Sequence, residues 1–424
     1  MTFVTLKKLR DDNMKFEDMN IEPDIKDSLI DIGFESPTEI QLETIPLIKN
    51  GYDVIGQSET GSGKTAAFGI PIVERVVKGD GIQAIILAPT RELARQISGD
   101  LKKYSRLKKL YIQTVYGGVS IIPQISGLRR ADIVVGTPGR TLDHMRRGTI
   151  DTKNVKIFVL DEADEMIDMG FIEDIEKIER QIPKKRQTLL FSATMSSRLK
   201  DMRNRFTKNA KKIKTKDKVS ESVLKQYYCD IDQRSKFSLL VHLINKEKPR
   251  LSIIFCNTRK IANEISMNLR YNKIDALVLH GGLTQAKREM TLKDFHNGKI
   301  KILVATNVAA RGLDIKSVSH VFNYNIPQDP EDYTNRIGRT ARAGKSGKAI
   351  SLLSRDEHGS FRRIMNIFSY DVEKIVISDF KSLPFRRHEV SQKNKIRNFK
   401  NNRFRTNKRK WKRRKSGFSR RKRF

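Results

Sequence analysis

Cysteine is scarce. Cys229 and Cys256 are the only two in 424 residues, too few for a disulfide framework, and no Cys-x-x-Cys or Cys/His cluster suggests zinc. A reduced, cytoplasmic setting is therefore expected. Long apolar runs are also missing. The longest uncharged stretch, which includes Tyr111 to Leu128, is interrupted by Gln113, Gly117, Gly118, Pro123 and Gln124, which makes it too polar to span a bilayer. Residues 1–19 carry charges where the apolar segment of a secretion signal would sit, so no signal is expected. Acids are under-represented as well: 49 Asp and Glu face 84 Lys and Arg, for a net charge of +35. That balance argues against an ordinary small-molecule enzyme and toward a polyanionic partner, nucleic acid or an anionic membrane.

With 38% hydrophobic and 31% charged residues, the chain can build cores, and its length suits two or three domains at about 150 residues each. The charge is uneven. Residues 381–424 hold twenty lysines and arginines against one acid, Glu389, so +19 of the total lies in the last 44 positions. This tail is read as disordered when alone. The remainder shows short apolar runs of strand length. Asp53–Gly56, Ala84–Leu87, Ile133–Val135, Ile157–Leu160 and Leu189–Phe191 form one group; Ile253–Phe255, Ala276–Leu279, Ile302–Val304, Val321–Phe322 and Ala349–Leu353 form another. Most are flush rather than alternating, as buried parallel strands are. Between them lie amphipathic helices: Leu93, Ile97 and Leu101; Ile261, Ile265 and Leu269; Ile175, Ile178 and Ile182. The pattern predicts an α/β fold with two tandem parallel-sheet domains, residues 1–207 and 223–380, a lysine-rich linker at 208–222 and a basic tail at 381–424. No short internal repeat is evident.

The chemistry clusters just after the apolar runs, where open α/β sheets bind ligands. After Val54-Ile55-Gly56 comes Ser58-Glu59-Thr60-Gly61-Ser62-Gly63-Lys64-Thr65, then an Ala-Ala-Phe helix start. This is a phosphate loop: its glycines turn N–H groups toward phosphates, Lys64 reaches the β/γ-phosphates and Thr65 can hold Mg²⁺. Ser58 stands where the strict pattern has glycine. The strand Ile157–Leu160 ends in Asp161-Glu162-Ala163-Asp164, which suits a carboxylate directed at Mg²⁺ (Asp161) and one that polarises the attacking water (Glu162).

Together these motifs resemble the DEAD-box RNA helicases of superfamily 2, over roughly residues 14–370. The resemblance implies two RecA-like domains, RNA-stimulated ATP hydrolysis and local unwinding of short duplexes. Phe16, Gly33-Phe34, Pro37-Thr38 and Gln41 resemble the Q motif, which implies that Gln41 reads the adenine edge and Phe16 stacks on the base. Pro89-Thr90-Arg91-Glu92-Leu93-Ala94, Gly117-Gly118 and Thr137-Pro138-Gly139-Arg140 are similar to motifs Ia, GG and Ib, so that Arg91, Gly118, Thr137 and Arg140 would grip the RNA backbone. Ser192-Ala193-Thr194 resembles motif III, linking ATP state to strand separation.

In the second domain, Ile253 to Thr258 resembles motif IV, and His280-Gly281 with Gln285 and Arg288 resembles the next RNA-contact segment. Ala305-Thr306-Asn307 through Arg311-Gly312-Leu313-Asp314 resembles motif V: Thr306 for RNA phosphate, Gly312 and Asp314 for the nucleotide. Asn307 replaces a common Asp there, with little effect expected. Asn335-Arg336-Ile337-Gly338-Arg339-Thr340-Ala341-Arg342 resembles motif VI, making Arg339 and Arg342 arginine fingers, worth about 10³ to 10⁵ in turnover in related reactions. The usual His is Asn335, which puts the strength of domain coupling at issue.

One phosphate loop and two sets of motifs imply a single ATP, held by the first domain and completed by the second on closure, with RNA across both. The tail's Phe385, Phe399, Phe404, Trp411, Phe418 and Phe424, set among arginines and lysines, suit stacking on unpaired bases. An ATP-gated RNA clamp and a tail-driven RNA annealing chaperone are the alternative functions.

Overall fold

The computed structural model describes residues 14–58, 61–195, 197–215, 224–307, 318–341, 346–368 and 372–387. Thr60, Gly312, Asp314 and Arg342 lie outside the described residues, as do the expected linker beyond residue 215 and the tail beyond residue 387. The first domain holds β1 (Val54–Gln57), β2 (Ala84–Leu87), β3 (Ile112–Val115), β4 (Ile133–Gly136), β5 (Ile157–Leu160), β6 (Gln187–Ser192) and β7 (Lys211–Lys214). The second holds β8 (Leu224–Asp230), β9 (Ser252–Cys256), β10 (Ala276–Leu279), β11 (Ile302–Thr306), β12 (His320–Asn323), β13 (Gly347–Leu353) and β14 (Glu373–Lys374). Each set makes a seven-stranded sheet, in the orders β3-β4-β2-β5-β6-β1-β7 and β10-β11-β9-β12-β13-β8-β14. Every ladder is parallel. Counted from the first strand of each sheet, the two orders are the same. The chain thus contains one architecture twice, a repeat carried by topology rather than by a short sequence period.

Parallel strands need crossover helices, and those helices cover both faces. Adjacent residues of one strand accordingly enter different cores. Ile86 packs with Ile97, Leu101 and Val135 on one side, whereas Ile85 and Leu87 pack with Val134, Phe158 and Met166 on the other. The second domain repeats this, with Ile254 and Cys256 facing Ile265 and Leu269 and Ile253 and Phe255 facing Tyr333 and Ile337. The repeat extends to capping. Thr90, after β2, accepts from the Leu93 N–H at 3.2 Å to start the helix Arg91–Tyr104. Thr258, after β9, accepts from the Ile261 N–H at 3.2 Å to start the helix Arg259–Tyr271. Both helices carry the expected apolar spacing. Ile175 and Ile178 lie in the helix Ile172–Glu179, and Ile182 is buried just beyond it.

The strands that the flush-run pattern does not reveal are β3, β7, β8 and β14. These are the edge strands β3, β14 and β7, the last a mostly exposed Lys-Lys-Ile-Lys, and β8, next to an edge, where only Gln226 and Cys229 are buried. In these four the flush apolar signal is missing because a strand at or near an edge is partly solvated, and lysines blunt the open edge of β7, whereas the edge strand β10 keeps its apolar run. Consequently Lys211–Lys214, inside the stretch read as a linker, completes the first sheet on β1.

The stretch read as tail also begins later than the composition suggests. Ile375, Ile377, Phe380, Leu383 and Phe385 pack against the second domain. The Phe385 ring lies 5.3 Å from that of Phe237, so it serves the core and is not available to stack on a base. Arg386 closes this strap: its N–H donates to Asn268 Oδ1 at 2.9 Å, its carbonyl accepts from Asn268 Nδ2 at 2.8 Å, and its guanidinium lies 4.4 Å from the centre of the Tyr271 ring. Phe385→Ala is expected to destabilise the second domain by about 2 kcal/mol, roughly half of a fully buried Phe→Ala because the ring is half-buried. A lower urea midpoint for the second domain, with the first unchanged, is the measurement that checks it.

Candidate nucleotide and nucleic-acid site

Because β1, β6 and β5 are neighbours, the loops leaving their carboxyl ends converge. The phosphate loop follows β1, Ser192-Ala193-Thr194 ends and follows β6, and Asp161-Glu162 follows β5. Gly61 and Gly63 both take φ +93°, a left-handed backbone that a side chain disfavours. A Cβ at Gly63 would also overlap the Gln41 amide. Ser58, the departure from glycine, joins its hydroxyl to that of Ser62 at 2.7 Å and its N–H to the Ser192 carbonyl at 3.1 Å. The serine closes the loop on itself and ties it to β6. Lys64, buried at the first position of the helix Lys64–Arg75, donates to the Ser58 carbonyl at 2.7 Å.

Gln41 is buried beside this loop, its Nε2 donating to the Gly63 carbonyl at 3.1 Å and its Oε1 accepting from the Thr38 N–H at 2.8 Å. It therefore contacts the loop itself. Phe16 differs from expectation. It is 1% exposed, edge-on to Phe34 at 5.4 Å, within the hydrophobic core. Its neighbours cover both faces, so in this arrangement it offers none to a base.

Asp161 is buried, and that burial pushes its carboxyl up to about 7; Lys64 opposes the rise and Glu162 adds to it. Glu162 is held at φ +50°, an uncommon backbone for a residue with a side chain and of the kind stored at functional sites. Thr65 and Asp161 present oxygen donors of the sort magnesium prefers. No group of three or more His, Cys, Asp or Glu able to hold a metal occurs among the described residues. One carboxylate plus substrate phosphates is, however, the usual magnesium arrangement, and a buried acid with a raised pKa is a charge that a cation relieves.

The last acid of the motif, Asp164, received no role from the sequence. Its Oδ2 accepts from the Ala193 N–H at 3.1 Å, the Thr194 N–H at 2.8 Å and the Thr194 hydroxyl at 2.9 Å. Ser192 donates its hydroxyl to the Thr194 carbonyl. Thr194 also reaches Glu331 of the second domain at 3.4 Å, and Asn335 donates to Glu165 at 2.9 Å. Asn335 thus keeps a cross-domain bond, which the amide supplies without charge. Glu165 and Glu331 are functional candidates that the sequence reading did not single out.

Motif VI divides its arginines. Arg336 is 2% exposed and wholly occupied within its own domain. It donates to Asn307 Oδ1 at 2.7 Å, Asn323 Oδ1 at 3.3 Å, the Asn325 carbonyl at 2.5 Å and Asn257 Oδ1 at 2.9 Å. Asn307 in turn donates to Asp332 at 2.6 Å. The amide at this position bridges an acid and a guanidinium, which Asp could not do because it lacks the donor. Arg339, also buried, follows at the end of the helix Pro330–Ile337.

The residues expected to touch RNA all lie at the carboxyl ends of strands or in the turns just beyond. Arg91 starts the helix after β2, Gly118 follows β3 at φ +77°, and Thr137 caps the helix Pro138–Arg146, which contains Arg140. Thr306 ends β11, and Arg288 lies in the first turn of the helix Gln285–His296 after β10. Arg91 packs over Gly118, where a Cβ would collide with its guanidinium. Arg140 donates to the Val119 carbonyl at 3.3 Å. Arg288 and Glu92 make a largely buried ion pair across the domains at 2.8 Å, Arg91 reaches Gln285 at 3.4 Å, and Arg95 pairs with Glu289.

Since the folded-state pKa of Asp161 lies above its ordinary value near 3.9, the folded chain retains a proton that the unfolded chain releases between about pH 4 and 7. Stability from this group is therefore lost as pH rises through that window. Asp161→Asn is expected to raise the stability of the nucleotide-free chain at pH 8 by about 1–4 kcal/mol, with a smaller gain at pH 5, while abolishing ATP turnover. Thermal melts at the two pH values, paired with a turnover assay, check this.

Residues 38–202 match the DEAD/DEAH box helicase family and residues 235–344 match the helicase conserved C-terminal domain. The chain is 47% identical to the DEAD-box ATP-dependent RNA helicase CshA of Bacillus subtilis over 352 residues, covering 82% of this chain and 71% of that protein. A DEAD box protein from Methanococcus jannaschii superposes with a TM-score of 0.52 at 43% identity, covering 85% of this chain and 99% of that one. Dbp5 of S. cerevisiae bound to RNA and ADP BeF3 superposes with a TM-score of 0.77 at 33% identity, covering 85% and 95%. No helix among the described residues is long and apolar enough to cross a membrane. With both domains matched in order and the motif residues gathered at one edge of each sheet, the chain belongs to the DEAD-box ATP-dependent RNA helicases.

Proposed function

We propose that this chain hydrolyses ATP in the cleft between its two domains and uses the cycle to grip, locally separate and release RNA strands. The observation that carries this reading is the pair of cross-domain bonds, Thr194 to Glu331 and Asn335 to Glu165, made by the segments flanking the phosphate site. They link the nucleotide loops of one domain to the arginine-bearing motif of the other. The better overlap with an RNA- and nucleotide-bound relative than with a more identical protein supports a closed setting of the domains.

Lys64 would exchange its bond to the Ser58 carbonyl for the β/γ-phosphates. Thr65 and Asp161 would hold a magnesium ion, which supplies charge neutralisation on the phosphates. Glu162, held by its left-handed backbone, orients the attacking water and accepts its proton. Arg336 is committed to its asparagine cage, so charge on the transferring phosphoryl group falls to Arg339 and Arg342, in cis. The RNA strand lies along the edge from Arg91 and Arg140 to Arg288 and Thr306. These contacts are made by side chains and helix starts suited to phosphates, so sequence preference is weak. ATP and RNA both favour closure, and each raises the other's affinity by the same factor.

ATP hydrolysis measured with single-stranded RNA, with DNA of matched length and with neither is the deciding experiment. Strong stimulation by RNA alone is expected, and equal rates in all three would sink the coupled mechanism. Glu162→Gln should retain ATP and RNA binding while turnover falls about 10²- to 10⁴-fold; near-normal turnover would remove Glu162 from the chemistry. Asn335→Ala should lower RNA stimulation about 10-fold or more while RNA-free turnover changes little, since a bond to a carboxylate is worth about 1.5–3 kcal/mol. Undiminished stimulation would mean that this bond does not carry the coupling.

A further inference from the structure

We propose that the first domain carries a second RNA track along its edge strand β3, holding a few nucleotides of single strand that leave the central site. The inference rests on the RNA-binding reading above and extends it to a surface outside the motifs. An open groove of about 850 Å³ runs beside β3, between the second half of the helix Arg91–Tyr104, the turn that follows it and the start of the helix Ile122–Leu128. Arg95, Lys102, Arg106 and Lys109 line it, together with Tyr111 and Tyr116, and no acidic residue does. Both tyrosines are half-buried. A further cation, Arg130, lies over the Tyr111 ring at 4.9 Å.

Charge and position favour a nucleic-acid strand. Positive side chains interleaved with aromatic rings form the combination that tracks a single-stranded backbone and its bases. Two of the cations are already engaged, Arg95 by Glu289 across the domains and Arg106 by Asp31. Lys102 and Lys109 are exposed and make no ion pair among the described residues. The upper end of the groove is formed by Val119 and Ser120, directly after Gly118. The Val119 carbonyl is held by Arg140, and Gly118 lies under Arg91, so the groove opens at the point where the central site ends on this domain. From Arg95 to Lys102 the helix descends about 10 Å, away from the carboxyl edge of the sheet. A protein strand added to the open edge of β3 is less well served. The Gln113 amide already donates to the Thr114 carbonyl at 2.9 Å on this strand, and the rim is cationic rather than apolar.

The test uses the full chain and its Lys102→Glu/Lys109→Glu variant with uridylate oligomers of increasing length, in the presence of a non-hydrolysable ATP analogue. Affinity is read by fluorescence anisotropy and ATP turnover is measured in parallel. The wild-type chain should gain affinity beyond the shortest oligomer that fully stimulates turnover. The variant should bind that shortest oligomer normally and lose about tenfold on the longer ones. Its slope of log affinity against log salt should be shallower by about 1.4, two phosphate contacts at about 0.7 each on single strands. Lys102→Arg/Lys109→Arg should restore wild-type behaviour. Both proteins carry the same tail, so the difference between them reports on the groove. An equal loss at every length would overturn the track by assigning the lysines to the central site. Unchanged binding at every length would overturn it and leave the β3 edge as a surface for a protein strand. Absence of turnover stimulation of the wild-type chain by an oligomer of any length would instead overturn the underlying ATP-coupled reading, independently of the affinities.

Discussion

The carboxylate of Asp164 holds the two halves of the mechanism together. One of its oxygens gathers the Ala193 and Thr194 N–H groups and the Thr194 hydroxyl, and the other accepts the Glu165 N–H at 3.1 Å. The turn after β5 and the turn after β6 therefore move as one body. Each makes a bond to the second domain, Thr194 to Glu331 and Glu165 to Asn335. The same body reaches the phosphate loop through the Ser192 carbonyl and the Ser58 N–H. The loop after β1 is thus connected to the domain interface through directional contacts within a close-packed core.

Two sheets of the same strand order have been given different tasks, and one lysine in each shows how. Lys64 opens the helix after β1, and Lys236 opens the helix after β8. Lys64 is satisfied by a backbone carbonyl of its own loop, a bond that a phosphate can replace. Lys236 is fully buried and paired with Glu357, which also accepts from Ser354 and Asn325. Burial lowers the pKa of Lys236 and Glu357 opposes that fall. An internal carboxylate neutralises the lysine in the second domain, and losing it would leave a buried charge exposed to its full desolvation cost. The two domains thus differ at the equivalent lysine, bonded to its own loop in one and neutralised by an acid in the other.

The departures from the family pattern each find a hydrogen-bond partner. Ser58 bonds Ser62, Asn307 bridges Asp332 and Arg336, and Asn335 reaches Glu165. In each case a neutral amide or hydroxyl makes the bond, and Asn307 alone is seen both donating and accepting. The contacts between the domains therefore include a neutral-to-charged hydrogen bond at Asn335 and a conventional ion pair between Arg288 and Glu92.

The sequence by itself determined the central strands, the phosphate loop, the acidic strand end and the order of the motifs, because buried parallel strands are flush apolar runs and phosphate chemistry demands glycines, lysine and acids at short, local spacing. Tertiary structure alone decided which of those local pieces meet. It brought β1, β6 and β5 together, made Asp164 a junction, set Glu331 and Glu165 opposite residues more than a hundred positions away, and assigned Arg336 to the core rather than to the nucleotide. It also took Phe16 and Phe385 into hydrophobic cores, and gave the unpatterned Lys211–Lys214 a place in a sheet. The edge strands β3, β7 and β14 and the long-range hydrogen bonds leave no periodic mark on the chain: one follows from which neighbour is absent, the other from how distant loops are brought into register.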